Sequence, residues 1–236
     1  LGGLPKKAFQ LGEMRSGSRN PSLTLDAGGL LFEKGSLNDN EAPQEKITAE
    51  GIIASYNSMG YDAVGIGRND LAAGLDYLRD MKKHSTFSWL SANLVYQKDN
   101  HPLFTPYLLR TLGELKCAII GITGRDVLPL LEQEKVVALR PWQEILPPLL
   151  SELSAKSDLV ILLSSLSTQE DLEIARKFQT IHLIIEANGG SGNKEPVLIN
   201  NTLITHSTKQ GKYLGVLQVD WQPAGLWRKE DPRSML

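Results

Sequence analysis

Few side chains in this sequence could carry chemistry: four histidines, one cysteine, and acids, amides and serines gathered where apolar runs end. His84, His101, His182 and His206 show none of the close spacings that put two imidazoles on one metal. His84 stands among Lys82, Lys83 and Ser85, the setting of a solvated helix end. His182 lies in an apolar run and reads as a half-buried histidine with a satisfied partner. His206 ends a strand-like run and is kept as a pocket residue. Cys117 lies among aliphatic neighbours, where a thiol is buried and inert rather than activated by a nearby cation. As the single cysteine it excludes an internal disulfide and a cysteine-based zinc site. Ser164 and Ser165 end an apolar run but lack the G-x-S-x-G elbow of a nucleophilic serine.

Two glycine patterns suggest phosphate binding, and both fail on detail. Gly65-x-Gly67 follows a strand-like run, but Asp70 stands where a dinucleotide fingerprint needs its third glycine, and its charge would repel a pyrophosphate. The loop over 189–193 could offer backbone N–H groups to an anion. It lacks the Lys-Ser/Thr ending of a P-loop and leads into a strand, so it reads as a plain turn.

The elements that must position these residues alternate. Helices are expected over 2–10, 44–59, 71–78, 142–156 and 169–178, with Gly60 as a stop and Asn69 or Asp70 as a cap. On the 44–59 helix, Ile47, Ile53 and Ala54 are expected near one face. Pro147-Pro148 would push the regular part of the fourth helix beyond them. Strands are expected over 22–25, 63–67, 89–95, 158–163, 181–185 and 213–221. Hairpins are expected at 107–112/115–122 and 197–199/203–206. Residues 15–21 and 188–193 read as loops. Early strand–helix alternation followed by hairpins indicates an α/β protein.

Composition narrows the function. Hydrophobic residues make up 41% of 236, enough for a sizeable core. A net charge of −2 gives no basic footprint for nucleic acid. No apolar run approaches the roughly 20 residues of a membrane span. The chain begins Leu1-Gly2-Gly3-Leu4, without Met and a basic n-region, which reads as a mature or trimmed product.

Several segments, in register, resemble the 5'-nucleotidase branch of the calcineurin-like metallophosphoesterases. Gly2-Gly3-Leu4-Pro5-Lys6-Lys7-Ala8 is similar to the family's GGL-A-R-A helix start, and Leu25-Asp26-Ala27-Gly28-Gly29-Leu30-Leu31 to its LDAGDLL. The run from Met59 to Asp70 is similar to MGYDAVTLGNHE. Leu90-Ser91-Ala92-Asn93-Leu94, with 102–107, is similar to LSANV and PLFKPY. Residues 158–167 are similar to DVVIVLSHLG, and 210–215 to QYGKYLG. The resemblance implies an α/β fold: a sandwich of two mixed β-sheets flanked by helices, in four layers α/β/β/α. It would form a single domain over 1–221, with a C-terminal tail or linker over 222–236.

The resemblance also implies hydrolysis of nucleotide phosphates by two divalent metals, about 3.5–4 Å apart in such sites. The family's pattern breaks at those positions. Gly29 replaces the bridging Asp, Arg68 the metal-binding Asn, and Asn69 the catalytic His. Asp70 is a shortened acid, Ser165 replaces a His, and Asn188 and Gly190 replace two more. The Asp-x-His motif would lie upstream of Leu1. Asp26, Asp70, Glu186 and Asn188 offer oxygens to a hard cation, but Arg68 in their midst favours an Arg68–carboxylate pair. The pocket positions equivalent to the family's active site are Asp26, Gly29, Arg68, Asn69, Asp70, Ser165, Asn188, Gly190 and His206. No catalytic residue, metal ligand or cofactor is expected among them.

Two functions from different classes follow. The first is a pseudoenzyme that binds a small anionic or nucleotide-like ligand, with Arg68 suited to a phosphate, or a protein partner. The second is a metal-dependent phosphoesterase or redox enzyme completed by a segment upstream of Leu1 rich in Cys or His. The resemblance implies a periplasmic or other extracytoplasmic location, with no nucleic-acid partner and no membrane span.

Overall fold

The computed structural model describes residues 3–132, 134–188, 195–207 and 214–222. Helices α1 (Leu4–Gly17), α2 (Ala42–Met59) and α3 (Leu75–His84) cover a three-stranded parallel sheet. Its strands are β1 (Leu25–Asp26), β2 (Ala63–Gly65) and β3 (Ser88–Leu90), in that order. A short antiparallel pair follows, β4 (Leu94–Tyr96) with β7 (Val137–Leu139).

The second main sheet has six strands. Its parallel centre is β6 (Leu115–Ile122), β8 (Leu159–Ser164), β9 (Leu183–Glu186) and β11 (Thr202–His206). The edges are antiparallel: β5 (Tyr107–Leu112) against β6, and β10 (Val197–Ile199) against β11. The single-turn helix α4 (Leu128–Leu131) follows β6, while α5 (Trp142–Leu153) and α6 (Thr168–Lys177) pack on this sheet's outer face. The layers are therefore helices, sheet, sheet, helices.

The two-residue period of the strands builds this order. In β6 and β8, Cys117, Ile119, Leu159, Ile161 and Leu163 point between the sheets, where they meet Ala63 and Leu90. The alternate residues Ala118, Ile120, Val160 and Leu162 point at α5 and α6. Burial on both faces is why these strands read as unbroken apolar runs.

The hairpin of β5 and β6 turns at Gly113 (φ 63°), and α2 stops at Gly60 (φ 65°), as expected from sequence. Other elements differ. Helix α1 continues through Arg15 to Gly17, because the Arg15 guanidinium is anchored on Met59 O (2.5 Å), Thr24 Oγ1 (2.6 Å) and Gly60 O (3.0 Å). The buried face of α2 is Ala49, Ile53, Tyr56 and Met59, whereas Ile47 is 62% exposed and Ala54 is exposed too. Residues 89–95 split between β3 and β4, because Ser91 and Asn93 turn inward to bond Thr123. Helix α5 includes both Pro147 and Pro148. They stand on its exposed face, where water can satisfy the carbonyls they leave unpaired. Residues 214–222 form no strand, though Trp221 packs edge-on against His182 at 5.4 Å. The remainder of the 188–193 loop beyond Asn188, and the tail from 223, lie outside the described residues.

Candidate functional site

The loops leaving the C-terminal ends of β1, β2, β6, β8 and β9 converge where the two sheets approach most closely. Glycine permits the approach: a Cβ at Gly121 of the six-stranded sheet would collide with the Leu90 carbonyl oxygen of the other, and one at Gly65 with the Ala27 carbonyl oxygen beside it in its own sheet. Most of the pocket residues expected from sequence meet here, and their polar atoms are committed to the protein.

Asp70 is fully buried. It does not cap α3, which begins at Leu75 after Gly74, but belongs to a single 3-10 turn over Arg68–Leu71. Its Oδ2 accepts the N–H groups of Gly29 (2.6 Å) and Gly67 (2.9 Å), and its Oδ1 those of Leu30 (2.7 Å) and Leu31 (3.0 Å). Burial pushes its pKa up to about 6, against the pull of these four donors. Gly29 itself has φ 75° and open space where a side chain would project.

Arg68 does not pair with Asp70 or Asp26. Its Nη1 donates to the main-chain carbonyl of Asp126, and its side chain lies against Gly35. The acid that feels its charge is Asp126, whose carboxyl is raised by burial with Arg68 opposing. The expected pairing with the acid cluster is thus replaced by a contact to the loop after β6, reached because the 3-10 turn points the side chain that way. Asn69 is likewise committed, donating from Nδ2 to the Glu33 carbonyl at 3.0 Å.

Ser165 is buried, donating to Ile66 O (2.8 Å) and accepting from Gly124 N–H (3.0 Å). It therefore ties the ends of the two sheets together. Asn188 Nδ2 donates to Ser165 O at 2.7 Å. Gly190 lies outside the described residues.

Asp26 and His206 are engaged at the ends of β1 and β11, with Asp26 Oδ1 accepting the Gly28 N–H at 3.0 Å. Asp26 accepts the Tyr56 hydroxyl at 2.8 Å, and that hydroxyl accepts from Lys7 Nζ at 3.1 Å. Lys7 also lies over the stacked rings of Tyr56 and Tyr61. Burial, then the Asp26 charge, drive the Tyr56 pKa upward. His206 sits opposite Glu186 in the β9–β11 register, with Nδ1 and Oε2 3.7 Å apart and both side chains nearly buried. Next to them is Asp171, whose Oδ1 accepts from Ser164 Oγ at 2.6 Å. Its pKa is raised well above the ordinary range by burial, and the Glu186 charge adds to the rise.

The other histidines follow expectation where they are described. His84 ends α3 in solvent, and the half-buried His182 accepts the Val160 N–H on Nδ1 at 3.0 Å. Burial lowers the His182 pKa. Cys117 is fully buried, and burial pushes its thiol up to about 11. Sequence reasoning missed the Lys7–Tyr56–Asp26 chain and the Ser164–Asp171 pair. Both join residues far apart in sequence or hidden inside an amphipathic helix, and no local pattern marks them. Among the described residues, no group of three or more His, Cys, Asp or Glu side chains is placed to hold a metal ion. No helix among them is long and apolar enough to cross a membrane.

Known proteins resemble this arrangement. No protein-family model matches the chain. Protein UshA of Yersinia enterocolitica is 36% identical over 102 residues, which is 42% of this chain and 18% of that protein. A 5'-nucleotidase of Vibrio vulnificus is 29% identical over 146 residues, 60% of this chain and 26% of that protein. The matched stretches thus span about a fifth to a quarter of these relatives' length. Among solved structures, the calcineurin-like phosphoesterase YfkN from Bacillus subtilis superposes with a TM-score of 0.72 at 21% identity. That match covers 94% of this chain and 80% of that one. A 5'-nucleotidase precursor from Thermus thermophilus gives 0.71 at 23% identity, over 90% of this chain and 44% of that one. With the ordered motifs and the layered α/β fold, these likenesses make the chain similar to the 5'-nucleotidase branch of the calcineurin-like metallophosphoesterases, whose fold it shares.

Proposed function

We propose that this 5'-nucleotidase-like domain is catalytically degenerate and acts by binding, not by metal-assisted hydrolysis. One observation carries the reading: at the family's metal positions, the side chains present bond the protein's own main chain. The donor set does not fit two divalent cations. Gly29 supplies no side chain, and Arg68 is a permanent cation. Asn69, Ser165 and Asn188 are neutral and already hydrogen-bonded. Both oxygens of Asp70 are held by N–H donors, and those of Asp26 accept the Gly28 N–H and the Tyr56 hydroxyl. Without a metal to polarise a phosphoryl group or lower the pKa of water, the family's chemistry has no engine.

The binding role would serve a small anionic or nucleotide-like ligand, or a protein partner. Kinship with the 5'-nucleotidases supports an extracytoplasmic location as part of the same proposal. The test is elemental analysis of the full-length protein offered manganese, zinc and iron, with nucleotide phosphatase assays alongside. Substoichiometric metal and no metal-dependent hydrolysis are expected. One or two equivalents per chain with hydrolysis would overturn the proposal in favour of a working phosphoesterase.

A further inference from the structure

A cavity of about 90 Å³ lies beside the N-terminus of α5, between the loop after β6 and the turn that leads into α6. We propose that it binds a small oxyanion. The space suffices for a tetrahedral anion or several waters, and the polar groups around it are sorted by type.

Two side-chain acceptors of the wall are already in use. Asn93 Oδ1 takes the Thr123 N–H at 2.8 Å, and Glu170 Oε2 takes the N–H and hydroxyl of Ser167 at 3.1 and 2.7 Å. Arg140 is neutralised by Glu144 and bonded to Asn100.

Several donors remain. Trp142 lines the cavity and is 2% exposed, and its indole Nε1 is buried with no hydrogen-bond partner among the described residues. A buried N–H left unpaired is a standing cost of desolvation, which an acceptor in the cavity would relieve. Arg125, also on the wall, makes no ion pair among the described residues. Trp142 and Gln143 occupy the first turn of the 12-residue α5, where backbone N–H groups lack intrahelical acceptors and the helix dipole favours negative charge. Leu128 and Leu139 complete the wall with apolar surface, which strengthens an electrostatic contact by excluding water. Donors outnumber the uncommitted acceptors of the wall, Glu170 Oε1 among them, so the site asks its ligand for acceptors and negative charge.

The probe is the indole N–H resonance of Trp142 in ¹⁵N-labelled full-length protein, identified among the four tryptophans as the one lost in Trp142→Phe. Inorganic phosphate and, separately, acetate are titrated in the presence of a chelator, so that metal-held anion cannot contribute. A saturable shift of this resonance is expected, with affinity weakened about tenfold or more by Arg125→Ala, as suits loss of a charge-assisted donor. Arg68→Ala should leave the titration as it is. Saturation by acetate alone would keep the oxyanion site and assign it to carboxylates. No shift with either anion at tens of millimolar, or a titration indifferent to Arg125→Ala, would overturn the proposal.

Discussion

The carboxylate of Asp70 holds the main chain of Gly29, with Oδ2 and the Gly29 nitrogen 2.6 Å apart across 41 residues of sequence. The loop that follows β1 is shaped around this one acid. Where the family resemblance implies a metal-facing residue, the chain has a structural bracket joining the ends of β1 and β2.

Asp70→Asn should therefore destabilise the fold by about 3 kcal/mol, because one carboxylate oxygen becomes an NH₂ that faces backbone donors. The same residue sets a pH dependence. Its folded pKa, about 6, lies above the 3.8 of an ordinary Asp, so the native state binds more protons between those values. This contribution is fully present below about pH 3.8 and is lost as pH rises through 6. Urea unfolding from pH 4 to 7 should show the decline in wild type and its absence in Asp70→Asn.

Tyr56→Phe should cost about 2 kcal/mol, since it leaves buried Lys7 and half-buried Asp26 without the hydroxyl that links them. Because Lys7 belongs to α1, hydrogen exchange should rise in that helix before the six-stranded sheet. Equal protection in α1 of both proteins would show that the link is not what docks the helix.

The two glycines at the site should respond in opposite degree. Gly65→Ala drives a Cβ into the Ala27 carbonyl and should cost about 3 kcal/mol. Gly29→Ala meets nothing within 4 Å and should cost only about 1 kcal/mol, for its positive φ. Thermal melts of the two variants rank them directly; a reversed order would contradict the close approach of β1 and β2.

Cys117 should resist alkylation in the native protein at neutral pH, being fully buried with its thiol pushed up to about 11. Labelling by iodoacetamide should track the urea unfolding curve. Rapid modification without denaturant would mean that the inter-sheet layer opens.

Local physics made much of the fold legible in the sequence. Period-2 burial of β6 and β8, the Gly113 hairpin, the Gly60 stop and the inert Cys117 depend on near neighbours and on the apolar run itself. The family motifs, being ordered along the chain, led to the layered α/β fold, and they marked Gly29, Arg68, Asn69, Asp70, Ser165 and Asn188 as departures. Only the tertiary structure decided what those residues do instead. Asp70 meets the Gly29 loop, Ser165 reaches Ile66 across 99 residues, and Arg68 turns to Asp126. Each partner is brought in by sheet packing, and no spacing along the chain encodes it. The same holds for α1, which runs past its expected end because Arg15 finds the carbonyls of Met59 and Gly60. Sequence period sets which face of a strand is buried; the closure of two sheets sets which polar atoms find one another at their ends.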